Sequence, residues 1–511
     1  MTARRRPLVR VLVGALAVVL VLCCCGVAVG GWAFARAGTD TVGEVDFVRP
    51  LAVPPLAASR VDGQGRRMFD LLAREGSRDF RGDGRRTRTA GFDGDFLGPT
   101  LRAKRGERVV VNVVNRLAEE TSVHWHGMHL PARMDGGPHQ TIRPGATWSP
   151  TWTVDQPAAT LWYHPHPHGA TEEHVYRGLA GLFLLDDDRE AALPLPRRYG
   201  VDDVPVIVQD RSFSGSGQFR KTRNMISSIG VLGDTLLVNG TVGPFLDVTT
   251  ERVRLRLVNA STARLYDFGL ADGRRFDLIG SDGGLLPRTA RLDRVRLSPG
   301  ERAEIVVTVR PGERITLRST GPDLGAGALA DRFAGGRDRF DVLELRAADR
   351  LVASPAVPDA LVPMDRLDPA SAATTRTLEF LGRGINGRSM DMDRIDFAAT
   401  RDTTEVWEVV NRDGTPHNFH VHDAQFQVLT VDGEAPPPAL SGWKDTIYLP
   451  PNRPIRIALR FTDHTDPDVP YMYHCHLLYH EDAGMMGQFV VVEPGQSLGR
   501  PPRHGAHAPH R

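Results

Sequence analysis

Cysteine is scarce in this chain of 511 residues: there are four, and Cys23, Cys24 and Cys25 lie together in one apolar run near the start. The rest of the chain holds Cys475 alone, which excludes an internal disulfide framework there. Lysine is scarcer still. Lys104, Lys221 and Lys444 stand against 60 arginines, and because the arginines are dispersed this reads as a bias of composition, not a phosphate-binding cluster. A net charge of +1 provides no bulk field for nucleic acid, and no such partner is expected. Sustained helical periodicity is missing beyond the first segment; short apolar runs broken by Gly, Pro, Asn and Asp point to β-sandwiches.

The long hydrophobic run, Val11 to Ala35, follows Arg4, Arg5, Arg6 and Arg10. At roughly 25 residues it suffices to span a bilayer with the arginines left in the cytoplasm. A cleavable signal is the alternative, since Ala33-Phe34-Ala35 fits the small-x-small rule, but the length favours an uncleaved anchor. Both readings place the remainder outside the cytoplasm. In such a compartment an unpaired Cys475 calls for a partner, and a metal would provide one.

The run His474-Cys475-His476, followed by His480 and Met485, is the most informative stretch. Successive side chains of a strand point to opposite faces, so His474 and His476 face one way and Cys475 the other. Cys475, His480 and Met485 make up most of a thiolate, imidazole and thioether set, that of a blue-copper electron-transfer centre. Three further His-x-His clusters occur: His124/His126, His164/His166 and His420/His422. His417, just after Pro416, is placed to turn towards Cys475. The inventory is two histidines, a cysteine and a methionine for one copper, and eight histidines for a cluster.

A repeat organises the chain. Strand-like segments ending in Val-Asn finish at Asn115, Asn259 and Asn411, 144 and 152 residues apart. Nine and eleven residues beyond Asn115 stand His124 and His126; the same offsets from Asn411 give His420 and His422, and from Asn259 give Phe268 and Leu270. Leu161-Trp162-Tyr163-His164-Pro165-His166 likewise matches Tyr471-Met472-Tyr473-His474-Cys475-His476. Domains at 60–190, 201–350 and 374–497 follow, after a leading segment 1–35 and an extended tether 36–59, with a disordered tail from 498 that holds His504, His507 and His510. Eight histidines must converge between the first and third domains, and the middle one is most simply a spacer.

These motifs resemble those of three-domain multicopper oxidases of the bacterial laccase and cuprous oxidase branch. The residues are His124-Trp125-His126-Gly127, His164-Pro165-His166, His417-Asn418-Phe419-His420-Val421-His422, and His474-Cys475-His476 through Met485. The resemblance implies an all-β fold of three cupredoxin-like sandwiches and roughly four copper ions. It assigns His417, Cys475, His480 and Met485 to type 1 copper, His124 and His420 to type 2, and His126, His164, His166, His422, His474 and His476 to the type 3 pair. It makes Glu481 and Asp135 candidate proton-delivering acids, against a solvated surface charge for Glu481 and a turn residue for Asp135. Dioxygen and a small reducing substrate are the implied partners, for a monomer held to the membrane by its first segment. No methionine-rich insert is present and Met390-Asp391-Met392-Asp393 is the one suggestive cluster, so phenols or aromatic amines come first as substrates and Cu(I) second. A non-catalytic cupredoxin scaffold is a third reading, though such relatives typically lack copper ligands and all twelve stand here. His129, His139, His168, His174 and His464 belong to no motif and are expected to serve outside the copper ligation.

Overall fold

In the computed structural model, which describes residues 5–222 and 229–502, six sheets pair into three sandwiches. In the first, the sheet Leu101–Lys104, Gly181–Asp186, Ala159–His164, His124–His126 packs on strands Arg67–Arg78 and Arg108–Asn115 and their neighbours. Phe69, Val111, Trp125, Trp152 and Phe183 fill the space between them. The middle sandwich has two six-stranded sheets around Val206, Leu255, Phe268, Ile305 and Leu343. The third has two five-stranded sheets around Phe419, Trp407, Tyr471 and Phe489. Phe268 and Leu270, which stand at the histidine offsets, are buried core residues of the middle sandwich.

The repeated asparagines have a common physical task. Asn115 donates to the carbonyls of Glu119 and Ile142, Asn259 to those of Arg264 and Leu297, and Asn411 to those of Thr415 and Leu449. Each also accepts from the backbone N–H two residues on, at Leu117, Ser261 and Asp413. A short amide side chain thus closes the turn after the strand in each repeat. The turn delivers the next strand in register. His124 pairs with His164 in the first sandwich, and His420 pairs with His474 in the third.

The chain begins with the helix Arg5–Arg36, whose side chains from Leu12 to Val27 include many exposed large apolar groups. Among the described residues no helix is long and apolar enough to cross a membrane. The membrane anchor expected from the sequence is not supported by the described residues. The segment expected as a tether is bound along the middle sandwich. Arg332 donates to the carbonyls of Phe34 and Ala35 at the end of the leading segment, at 3.1 and 3.0 Å, and within the tether Thr39 N–H donates to Asp338 Oδ1. Arg49–Pro50 then adds a parallel strand beside Pro244–Thr250. His504, His507 and His510 lie outside the described residues.

Candidate metal centre

Strand Asp466–His474 runs into Cys475 and His476, and the short helix Leu478–Asp482 then turns the chain back. Cys475 Sγ lies 3.6 Å from Nδ1 of His417 and 3.6 Å from Nδ1 of His480; those two nitrogens are 3.0 Å apart. Met485 is fully buried, its N–H donates to the carbonyl of His480, and its carbonyl accepts from Cys475 N–H. Burial pushes the Cys475 thiol up to about 12, so a thiolate here requires a bound cation.

On the other face of that strand eight buried imidazoles converge. His166 and His422 each place Nε2 at 3.3 Å from His474 Nε2. His164 Nε2 lies 3.4 Å from both His126 Nδ1 and His476 Nε2. His124 and His420 direct Nε2 atoms into the same space, buried and without a hydrogen-bond partner. The trios His126/His164/His476 and His166/His422/His474 each bring three ligand atoms within 4.8 Å of one another, and so does His124/His126/His420. Burial first, then the neighbouring imidazoles, holds His126, His166, His420 and His476 well below the ordinary histidine range; burial holds His422 at about 4 although Asp135 pulls it up. The rings are neutral and keep a free lone pair for a metal.

Two carboxylates reach into the cluster. Asp135 Oδ2 is 2.7 Å from His422 Nδ1 and its Oδ1 is 3.3 Å from His124 Nδ1. Burial alone would raise its pKa, but His422 and His124 outweigh burial and hold it below the usual carboxylate range. Glu481 places Oε1 at 3.2 Å from His166 Nδ1 and Oε2 at 3.3 Å from His474 Nδ1. It is 1% exposed, which removes the solvated alternative, and burial raises it well above its ordinary value.

The comparisons with known proteins agree. Two family models described as multicopper oxidase match residues 76–190 and 358–495. A multicopper oxidase of Staphylococcus epidermidis is 37% identical over 86% of this chain and 92% of its own. The chain belongs to the multicopper oxidase family. A crystal structure of the multi-copper oxidase of Pediococcus acidilactici superposes with a TM-score of 0.79 at 36% identity, over 88% of this chain and 93% of that one. A relative named cell division protein FtsP, from Dickeya dadantii, is 37% identical over 86% of this chain and 92% of its own.

Copper is therefore the cofactor of this oxidase, and the site suits it. Orphaned, buried nitrogens at His124 and His420 are what a metal would satisfy, and a thiol flanked by two imidazole Nδ1 atoms is a soft donor set. Among the described residues, His129, His139, His168, His174 and His464 join none of the ligand trios. His174 bonds Thr121 Oγ1, and His139 bonds Gln488 Oε1.

Several residues that sequence patterns did not single out complete the oxidase's centre. Asp413 Oδ2 accepts from His417 Nε2 at 3.1 Å, and its side chain is 20% exposed, so it lies between that imidazole and solvent. Asp445 Oδ1 accepts from His126 Nε2 at 3.0 Å. Arg302, from the middle sandwich, grips both oxygens of Asp445 at 2.6 and 2.7 Å. Beside it Lys444 is buried between Asp282 and Glu301, both of the middle sandwich, at 2.9 and 2.8 Å. The middle sandwich is thus an active wall of the cluster, not a spacer alone.

Proposed function

We propose that this multicopper oxidase couples the one-electron oxidation of small reducing substrates, phenols or aromatic amines, to the four-electron reduction of dioxygen to water. His417, Cys475, His480 and Met485 form the type 1 site; His124 and His420 the type 2 site; His126, His164, His476 and His166, His422, His474 the two halves of the type 3 pair. One observation carries the reading. His474, Cys475 and His476 are consecutive, yet the thiol faces His417 and His480 while the two imidazoles face the cluster. Bound copper supplies one-electron redox chemistry on both sides of that strand. Glu481, buried against His166 and His474, moves protons to the cluster; Asp135 serves the His124 and His422 side. The three sandwiches are read as domains 60–190, 201–350 and 374–497.

Asp413 supports the substrate class. A donor that reaches the His417 edge meets a partly exposed carboxylate, which suits a phenol or amine that loses a proton with its electron. Cu(I) is the second reading: the Met390 backbone is held beside Met485 by its bond to the Gly484 carbonyl, and a thioether is a soft donor. Oxidation rates for a phenol and for Cu(I), measured in parallel with oxygen uptake, test the choice. Phenol turnover near background beside rapid Cu(I) turnover reverses the order. A non-catalytic cupredoxin scaffold is less well supported because every ligand position carries a ligand residue. The basic and then apolar start of the chain supports export from the cytoplasm.

A further inference from the structure

His126 is oriented unlike the other seven histidines of the cluster. His164, His166, His422, His474 and His476 turn Nε2 to one another, and His124 and His420 direct a bare Nε2 inward. His126 turns Nδ1 inward, 3.4 Å from His164 Nε2, and Nε2 outward. An imidazole that offers Nδ1 to a metal must carry its proton on Nε2, and the acceptor of that proton fixes the tautomer. Here the acceptors are Asp445 Oδ1 and Thr446 Oγ1, each at 3.0 Å.

Asp445 is itself held. Arg302 grips both carboxylate oxygens with a planar fork that allows one orientation. The guanidinium is fixed from behind by three carbonyls: Thr160 of the first sandwich at 2.9 Å, Asp282 at 2.8 Å and Gly300 at 3.2 Å. Arg302 is fully buried, so nothing in this chain of contacts is loosened by solvent. Two residues earlier the same loop touches the rings. Gly300 has φ +90°, and a Cβ there would stand 3.2 Å from His126 Cε1 and 3.2 Å from His476 Nδ1.

We propose that Arg302 of the middle sandwich is a positioning residue for the three-copper cluster: by clamping Asp445 it keeps His126 Nε2 engaged, so that Nδ1 is offered to the copper shared with His164 and His476. The proposal rests on the assignment of those three histidines to one half of the type 3 pair. It gives the ligand-free sandwich a specific chemical part in oxygen reduction. Without Arg302 the Asp445 carboxylate loses both guanidinium bonds and keeps only the Thr446 hydroxyl as a side-chain donor beside His126, so the charged acceptor of His126 is no longer fixed and the ring is freer to rotate or change tautomer.

The test compares the copper-loaded full chain with Arg302→Met and Arg302→Lys. The readouts are the near-ultraviolet absorption of the coupled pair, the copper visible by electron paramagnetic resonance, and the blue type 1 band. Arg302→Met is expected to lose the coupled-pair absorption and to show added paramagnetic copper, with the blue band and its anaerobic reduction unchanged. Arg302→Lys, which keeps the charge but not the fork, should recover part of the coupled signal. A parent-like coupled pair in Arg302→Met overturns the proposal, as does uniform loss of all copper signals with the melting temperature, which marks a purely structural bond. If Arg302→Met does not fold, Asp445→Asn decides. An amide provides one acceptor where Arg302 and His126 require more, so the same spectral loss is expected and a parent-like spectrum overturns the idea. A parent protein with the blue band but no coupled pair would instead refute the ligand assignment beneath it.

Discussion

Asp135 and His422 come from different sandwiches, and the carboxylate of the first lies 2.7 Å from Nδ1 of the second. The same carboxylate reaches His124 of its own sandwich at 3.3 Å. One buried anion thus orients His422 across the seam between the two halves and lies against His124, whose Nδ1 is held by the Asp135 backbone carbonyl at 3.0 Å. An amide in its place removes the negative charge beside both rings, while the bond of His124 Nδ1 to the Asp135 carbonyl remains. Asp135→Asn is therefore expected to lower cluster copper affinity or oxygen uptake about 10–100-fold, as removal of an outer partner of a metal-bound histidine does. Copper per chain and oxygen consumption measure it; unchanged values for both would show that Asp135 is only the turn residue its Asp-Gly-Gly-Pro context suggests.

Cys475→Ser separates the two faces of one strand. Serine lacks the thiolate, so the blue absorption and substrate turnover should both vanish. The eight imidazoles on the opposite side remain, and the cluster should still take up copper. Copper analysis with visible absorbance reads the result. Turnover near the parent rate would mean that electrons enter by another route.

Met485→Leu should keep the blue band and raise the type 1 reduction potential, because a thioether at the axial position is a weak donor that lowers it. The neighbour Met486 pairs with His474 in the strand ladder and is the control. Redox titration of both variants settles which sulfur matters: a shift in Met486→Leu with none in Met485→Leu reverses the assignment.

The proposed ligands were legible as candidates because each lies in a short motif and strand alternation carries it to a definite face. The repeat was legible because Asn115, Asn259 and Asn411 perform one turn-closing task. What lay hidden is contact between sandwiches. Arg302 and Asp445 are 143 residues apart, and nothing in a strand pattern sets the register of one sandwich on another. One clue was present in Lys444. A lysine retained in a chain of 60 arginines marks a place where a compact ammonium fits, here between Asp282 and Glu301. The bound strap after the first helix was missed for a related reason: its hydrogen bonds go to Asp338 and Asp341 of the distant middle sandwich, so its own sequence reads as a plain tether.

Acid should weaken the seam between the first and middle sandwiches through Glu304. This buried carboxylate bonds Arg254, Arg256 and Thr160. Burial would raise its pKa, but Arg254 and Arg256 prevail and hold it at about 2, below the ordinary 4.5. For an acid whose folded pKa is depressed, the stabilisation is present above the unfolded value and is lost as pH falls towards the folded one. Glu304→Gln is expected to destabilise by about 3 kcal/mol at neutral pH, because two buried guanidiniums lose one charge partner and keep Glu190 and Asp203. The gap from the parent should close as pH falls from 4.5 towards 2. Denaturant melts at several pH values test the sign; a gap that widens in acid contradicts it.

Glu481 follows His480 in sequence but faces the opposite site. His480 turns Nδ1 to Cys475, while Glu481 lies against His166 and His474, two histidines of one ligand trio. The two Glu481 oxygens face the Nδ1 atoms of His166 and His474 at 3.2 and 3.3 Å, so the group is placed to exchange a proton beside the cluster. Glu481→Gln is nearly isosteric, and copper content and the blue band should survive it. Anaerobic reduction of the type 1 site by substrate should stay fast, since no contact of Glu481 reaches His417 or Asp413. Reoxidation by dioxygen should slow by about 10²–10⁴, the usual cost of losing a positioned general acid. Stopped-flow absorbance at the blue band, run in both directions, measures the two steps separately. If Glu481 merely oriented His166 and His474, the variant would lose cluster copper before it lost rate. Slow reduction with normal reoxidation would place Glu481 on the substrate side and end its assignment as the proton donor.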